Sequence, residues 1–424
     1  MSPQKGTGRP LKILLSAYAC EPHKGSEPGV GWHWADELAQ MGHSVCVLTR
    51  RNNRAAVEAS LATLRAPENL KFIYHDLPDW LMPLKKIVGT HLYYSLWQRT
   101  VLGVARRQHL TERFDCAHHI TFGSWRQTTH LHKLGIPLLV GPIGGAEMAT
   151  LALVRSLPVS AQVSEGLRYL TNVIGLLNPS LRRALRNARV ISKTANTQRW
   201  LMRMGVTSDV SLEIGIDAAT MTPKERKRRE GPLKLIFVGR LLGWKGVLLA
   251  IRAVAQARAA GTDVTLTMVG AGKLRVRCER LIASLGAENA VTMIGSKPQA
   301  EVFALLASHD ALLFPSMHDS SGNVVLEAFG HGLPVICLDL GGPSMLVDPS
   351  VGVVVSTIAT TESTVIEKLA AAISWIASDQ QLLERLSAAA RQRSLDLSWA
   401  AAVHRLYPNE RRSPRSSLSR DDPT

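Results

Sequence analysis

No stretch of this 424-residue sequence reaches the ~18 uncharged apolar residues that a membrane-crossing helix needs. The start, MSPQKGTGRPLKILLSAYACEP, also lacks a leader-type apolar core: its ILLSAYA is short and runs into Glu21 and Pro22. The expected location is therefore cytoplasmic. Cysteine is scarce as well. Cys20, Cys46, Cys116, Cys278 and Cys337 are odd in number, far apart and form no CxxC pair, which argues against a disulfide framework and against a zinc site. Isolated buried thiols are expected instead. The third shortage is acidic charge: 34 Asp and Glu stand against 50 Lys and Arg, a formal charge of +16. Such a surplus attracts anions, so the partner is a nucleic acid, an acidic lipid surface or a phosphorylated small molecule. The basic residues are scattered over both halves and no zinc-finger, RNP-like or helix-turn-helix pattern accompanies them, so a nucleic-acid partner is not expected.

The length is too great for one compact core and predicts two domains of roughly 200 residues each. LKILLSAYA (11–19) reads as a buried strand, HKGSEPGVG as a glycine-rich loop, WHWADELAQMG as a helix stopping at Gly42, and HSVCVLTR (43–50) as the next strand. This is the unit of a parallel α/β sheet, whose ligands sit at the carboxyl ends of the strands. Further strands are predicted at about 71–75, 115–120 and 136–140. The second half repeats the pattern: LKLIFVGR, VTLTMVGAG, AVTMIG, ALLFPS and PVICLDL are strands separated by helical stretches. Two such sheets in tandem imply a cleft between them. The predicted division is 1–215 for the first domain and 216–395 for the second. The charged, aperiodic TPKERKRREGP (222–232) serves as an exposed linker, and the polar 409–424 as a disordered tail.

The densest chemistry lies in HDSSGNVVLEAFGHGLPVI (318–336), where Asp319 and Glu327 are separated by seven residues. Asn323 suits a helix N-cap, VVLEAFGH gives about two turns, and Gly332 with Pro334 stops it. A helix start approached through Ser320, Ser321 and Gly322 offers amides and the positive dipole end to a phosphate. Glu327 is placed to accept from a ribose diol and Asp319 from a sugar hydroxyl; the alternative is a turn-capping Asp319 and a solvent-facing Glu327. In FVGRLLGWKG, Arg240 follows the strand and Lys245 opens the next helix, a pair that can neutralise a diphosphate. Gly29 and Gly31 in GSEPGVGW would let amides approach a phosphate, although the motif is not GxGxxG. His118 and His119 end a strand, and in an extended chain they point to opposite faces, which disfavours a shared metal; either could face a substrate.

Together SEPGVGW, HHITFGSWR, GPIGGAE (141–147), GIDAATMTP, GRLLGWKG, MVGAG and the Asp319–Glu327 stretch resemble the retaining glycosyltransferases of the GT-B fold, family 4, the group with the E-x7-E motif, here D-x7-E. The resemblance spans nearly the whole chain and implies two Rossmann-like domains, with a C-terminal helix (396–408) returning to the first. It implies transfer of a sugar from a UDP- or GDP-sugar to a hydroxyl with retention of configuration, in polysaccharide or glycolipid assembly and without a metal or other cofactor. On that resemblance Asp319 meets the donor sugar, Glu327 the ribose, and Arg240 and Lys245 the diphosphate. Ser321, Gly322, Asn323, Val324 and the Gly270 turn surround the donor. His119, or else His118, is the active-site histidine. The first motif acid is usually Glu, so Asp319 is one methylene short.

The acceptor side is expected in the first domain. There residues 79–107 interleave Trp80, Leu81, Tyr93, Tyr94 and Trp97 with Lys85, Lys86, Arg99, Arg106 and Arg107, and LRRALRNAR (181–189) adds four arginines. Such interleaving suggests docking on an anionic inner-membrane surface to reach a carbohydrate or lipid-linked acceptor. The other reading makes the aromatics core and the cations a solvated face. A nucleotide-sugar epimerase of the same architecture is the alternative enzyme.

Overall fold

The computed structural model describes residues 9–78, 84–127, 129–217, 221 and 231–408. The first sheet holds β1 (Lys12–Ser16), β2 (Ser44–Thr49), β3 (Leu70–Tyr74), β4 (Cys116–His119), β5 (Leu138–Ile143), β6 (Arg189–Ser192) and β7 (Ser208–Val210) in the order β3-β2-β1-β4-β5-β6-β7. The second holds β8 (Leu233–Val238), β9 (Val264–Val269), β10 (Val291–Gly295), β11 (Ala311–Phe314), β12 (Val335–Leu338) and β13 (Gly352–Val355) in the order β10-β9-β8-β11-β12-β13. Every pairing is parallel. Helices cover both faces of such sheets, which is why β1, β8, β11 and β12 read as nearly unbroken apolar runs and bury almost every side chain. These are two Rossmann-like domains.

In each sheet the strand order reverses once, between β1 and β4 and between β8 and β11. The loops leaving those four strands diverge and open a crevice, the position where doubly wound sheets take ligands. The chain passes between sheets from Val210 to Leu233. It returns at the C-terminal end, where the Ile216 amide donates to the Leu397 carbonyl at 3.0 Å, His33 stacks on Trp399 at 4.3 Å, and the Trp399–Leu406 helix packs on the Ser26–Gln40 helix. The segment 222–230 and the tail 409–424 lie outside the described residues.

Two local expectations are corrected. GSEPGVG is not a loop: the helix starts at Ser26 and runs to Gln40. Pro28 fits its first turn, where amides have no intrahelical acceptor. Gly29 and Gly31 are there for close packing, since a Cβ would lie 2.2 Å from the Lys24 and Ala19 carbonyl oxygens respectively. The second correction concerns residues 84–107. Within the Leu84–Glu112 helix, Tyr93, Tyr94 and Trp97 are fully buried, while Arg99, Arg106 and Arg107 are exposed. The Tyr93 hydroxyl donates to Asp76 (2.6 Å) and Trp97 Nε1 to the His75 carbonyl (2.8 Å), so these aromatics are core. Trp80 and Leu81 lie outside the described residues, as do the side chains of Lys85 and Lys86.

Candidate functional site

A cavity of about 500 Å³ lies between the domains. From the first domain, Gly25 at the end of the loop after β1, Ser26, Glu27 and Val30 in the start of the following helix, and Lys193 and Glu213 line it. The second domain contributes Val238, Lys245, Phe314, Asp319, Ser320, Ser321, Asn323, Val324 and Glu327. Nearly all of these residues sit on loops or helix starts that follow strands, as the topology requires. Ser26 holds a left-handed φ of 61°, a conformation that costs of order 1–3 kcal/mol for a non-glycine residue.

The loop between β11 and the Asn323–Gly330 helix is organised by Asp319. Its Oδ1 accepts from the amides of Ser321 (3.3 Å) and Gly322 (2.9 Å), and its Oδ2 pairs with Lys245 Nζ at 2.5 Å. Two of the amides expected for an anion are therefore taken by a carboxylate. Gly322, not Asn323, is the N-cap, because the chain turns there through φ 86°, which glycine tolerates. Asn323 and Val324 remain in the first turn, where amides lack intrahelical acceptors, and both line the cavity. Burial alone would raise the Asp319 pKa, but the Lys245 ammonium and the two amides outweigh it and hold it below the usual carboxylate value. Lys245 also lies 4.9 Å from the Trp244 ring centroid and 5.0 Å from that of Phe314, which fixes the ammonium at the cavity edge. Arg240 is exposed, its guanidinium 5.6 Å from the Trp244 ring centroid, and does not line the cavity.

Glu327 is the opposite kind of acid. It lines the cavity one turn into its helix, and burial pushes its carboxyl up to about 7, against a small opposing effect of a hydrogen bond with Gln299. One acid is thus held ionised by a cation while the other titrates near neutrality.

The first domain meets this loop through residues that sequence reasoning missed. Lys193, just past β6, pairs with Glu213 at 2.5 Å, and Glu213 Oε1 accepts from the Ser321 hydroxyl at 2.7 Å across the cleft. Trp34 Nε1 donates to the Glu213 carbonyl at 2.8 Å and braces its backbone. Burial would lower the Lys193 pKa, but Glu213 and Glu27 outweigh it and raise it. Glu27, inside the GSEPGVGW stretch, accepts from the Gly123 amide at 3.1 Å. Lys193 follows β6, a four-residue strand that the sequence pattern does not mark, so its place at a strand's carboxyl end gives no signal.

His118 and His119 are both buried and point to opposite sides of β4. His118 Nε2 meets the Gly141 carbonyl (2.8 Å) and its Nδ1 the Tyr407 hydroxyl (3.1 Å); His119 Nε2 meets the Tyr94 hydroxyl (2.8 Å) and its Nδ1 the Ser16 hydroxyl (3.3 Å). Burial lowers the first to about 4 and the second to about 3, so both rings are neutral. Neither lines the cavity, which departs from the expectation of a substrate-facing histidine. Gly29, Gly31 and Gly270 do not line it either; Gly270 lets the backbone after β9 pass the Gly239 carbonyl, where a Cβ would lie 1.9 Å away. Among the described residues no three His, Cys, Asp or Glu side chains converge as a metal group, and the five cysteines are free.

The two parallel sheets and the crevice between them define an α/β protein of the GT-B class, and solved structures similar to it share that architecture. Sucrose-phosphate synthase from Thermosynechococcus elongatus superposes with a TM-score of 0.62 over 94% of this chain and 97% of its own, at 19% identity. The Anabaena protein HepE in complex with UDP gives 0.59 over 94% and 98%, at 17% identity. At the sequence level, residues 220–393 match the family model for glycosyl transferases group 1. Glycogen synthase of Mycobacterium tuberculosis is 30% identical over 227 residues, 51% of this chain and 52% of that one. The chain spans about half the length of the curated relatives it matches there.

Proposed function

We propose that this protein is a glycosyltransferase that moves a sugar from a nucleotide diphosphate sugar to a hydroxyl on a carbohydrate or lipid-linked acceptor, with retention, in polysaccharide or glycolipid assembly. The observation that carries the reading is the D-x7-E stretch brought to the cleft, with Asp319, Asn323, Val324 and Glu327 lining one cavity beside Lys245. The glycosyl transferases group 1 match covers this half of the chain. Support for a UDP-linked donor comes from the HepE structures in complex with UDP and with UDP-glucose. The epimerase alternative draws no support from these relatives.

In this reading the nucleoside diphosphate lies along the second domain. Ionised Glu327 accepts from the ribose diol, and Lys245 with the first-turn amides neutralises the diphosphate. Arg240 stands at the outer edge of the same site. Asp319 has both oxygens engaged yet keeps lone pairs for a sugar hydroxyl. Its larger task is to hold Lys245 and the loop in place. The sugar–oxygen bond to the diphosphate breaks with its electron pair leaving on phosphate. The acceptor oxygen bonds the anomeric carbon from the same face, and its proton passes to the departing phosphate oxygen. Catalysis is then positioning plus stabilisation of leaving-group charge by fixed cations and amides, without a metal. The test is incubation with UDP- and GDP-sugars and glycan or lipid-linked acceptors, with and without EDTA. Free nucleoside diphosphate in step with a glycoside of retained configuration, insensitive to EDTA, is expected; an isomerised donor without free nucleotide would replace the transferase by an epimerase.

A further inference from the structure

The Val159–Leu176 helix is turned against its own polarity. Val159, Val163, Leu167, Leu170 and Ile174, with Leu177 just past its end, are 51% to 77% exposed. At roughly 100° per residue these six project within an arc of about 80°, along roughly 27 Å of helix. The opposite face buries Glu165, Asn172 and Gly175. Asn172 Oδ1 accepts from Trp125 Nε1 at 3.3 Å and also from Arg126, and Glu165 lies 2.9 Å from His318 Nε2 of the second domain, off hydrogen-bond alignment. A surface helix ordinarily turns its apolar stripe inward. Here the buried positions are Glu165, Asn172 and Gly175, with Ala161, Val173 and Leu176 half-buried beside them, and a continuous apolar stripe is left facing out.

Charge identifies what meets it. Between Met148 and Ser208 the sequence holds nine lysines and arginines and a single acid, Glu165, which is buried. Arg182, Arg183 and Arg186 are exposed on the following Pro179–Arg186 helix. Arg199 and Arg203 are exposed on the Ala195–Arg203 helix, which meets the stripe-bearing helix where Tyr169 stands edge-on to Trp200 at 5.9 Å. Tyr169 itself is 53% exposed, an amphipathic ring at the border of stripe and cations. Two copies of this face would set like charges against each other, whereas a bilayer rich in anionic lipid offers acyl chains to the stripe and phosphates to the arginines.

We infer that this face is a monotopic docking surface for an anionic lipid bilayer: the apolar stripe enters the boundary between headgroups and acyl chains, and the flanking arginines bind the lipid phosphates. It stands independently of the transferase reading and takes the place of the 79–107 segment as the membrane-facing element. Because the inner side of the helix reaches His318, next to Asp319, the bilayer-facing element is joined to the loop that lines the cavity.

The test is flotation of the full-length protein with vesicles of phosphatidylcholine alone or mixed with phosphatidylglycerol, at low and high salt. The wild type should float with the mixed vesicles and release at high salt. Leu167→Gln with Leu170→Gln should lower the bound fraction about tenfold or more, with an unchanged melting temperature because both side chains already face out. Arg182→Gln, Arg183→Gln and Arg186→Gln combined should weaken binding to anionic vesicles and flatten its salt dependence. Failure of the wild type to float with anionic vesicles would overturn the inference, as would a leucine variant that floats like the wild type. A dimer seen by light scattering that the leucine variant breaks, without vesicle binding, would assign the face to a second copy and overturn it as well.

Discussion

At the end of β4, His118 and His119 turn into the protein and spend all four ring nitrogens on Gly141, Tyr407, Tyr94 and Ser16. Across the cleft, at the end of β11, the chain runs on through an eight-residue loop carrying Asp319 into the Asn323–Gly330 helix carrying Glu327, and both acids line the cavity. Both strands flank the reversal point of their sheet, so topology alone gives them equal standing. What separates them is the partner each side chain finds. The histidines meet buried hydroxyls and a carbonyl, and burial holds them neutral in the core. Asp319 meets Lys245 and the loop amides of Ser321 and Gly322, and Glu327 lies along the same cavity near Gln299. A polar residue at a strand's carboxyl end is thus a candidate that its neighbours either release to the cleft or absorb.

The largest effect that would sharpen this contrast is expected from Lys245→Met. Loss of a fixed cation at the departing diphosphate should slow sugar transfer by about 10²–10³-fold, measured as initial rates at saturating donor. A rate within a few-fold of wild type would remove Lys245 from the chemistry.

The second concerns pH. Burial holds the Glu327 carboxyl at about 7 against 4.5 ordinarily, so between these values the folded protein keeps a proton that the unfolded chain has released. Its contribution to stability is therefore present below about 4.5 and is lost as pH rises through about 7, by an amount on the order of 3 kcal/mol. Nucleotide affinity should run the other way and rise from pH 6 to 8 as the carboxylate forms. Glu327→Gln should flatten both curves, which denaturant melts and nucleotide titrations across that range can read.

His119→Ala should behave as a core lesion. It strands the Ser16 hydroxyl, leaves that of Tyr94 with Gln98 alone, and should cost about 1–3 kcal/mol of stability, with nucleotide affinity unchanged. The histidines also work on acid stability with the opposite sign to Glu327. Held neutral at about 3 and about 4 in the fold and protonated near 6.5 when unfolded, they stabilise the protein above 6.5 and lose that contribution as pH falls below it. The smallest effect is expected at Ser321→Ala, which removes the bond to Glu213 that crosses the cleft. It should cost about 1 kcal/mol in a urea melt, and no loss at all would mean that the bond adds nothing to domain closure.

Much of the fold was legible because parallel strands covered on both faces must be apolar throughout, and β1, β2, β8, β9, β11 and β12 stand out as such runs. β6, β7 and β13 were missed. They are only three or four residues long, and β6 and β7 follow arginine-rich or polar stretches that hide them. In the site, a short motif with a glycine turn and two spaced acids marked Asp319 and Glu327, and Lys245 followed from its place after a strand. Lys193 and Glu213 were not legible because their meaning comes from a partner in the other domain, 128 and 108 residues from Ser321. The glycines of GSEPGVGW misled, since a helix that needs close backbone packing and a loop that cradles phosphate call for the same residue. The Val159–Leu176 helix shows the limit of periodicity: its apolar repeat predicts an amphipathic helix, but only the structure shows which face turns outward.

The most direct single measurement is the thermal shift produced by UDP and by GDP, without metal, on three proteins side by side: wild type, Glu327→Ala and His119→Ala. A nucleotide at about a hundred times its dissociation constant adds roughly 2.7 kcal/mol. The expected result is a clear upward shift of the wild type by one nucleotide, the same shift from a lower baseline in His119→Ala, and none in Glu327→Ala. A shift that survives in Glu327→Ala but disappears in His119→Ala would place the nucleotide at the end of β4 and contradict the donor site assigned to the Asp319–Glu327 stretch.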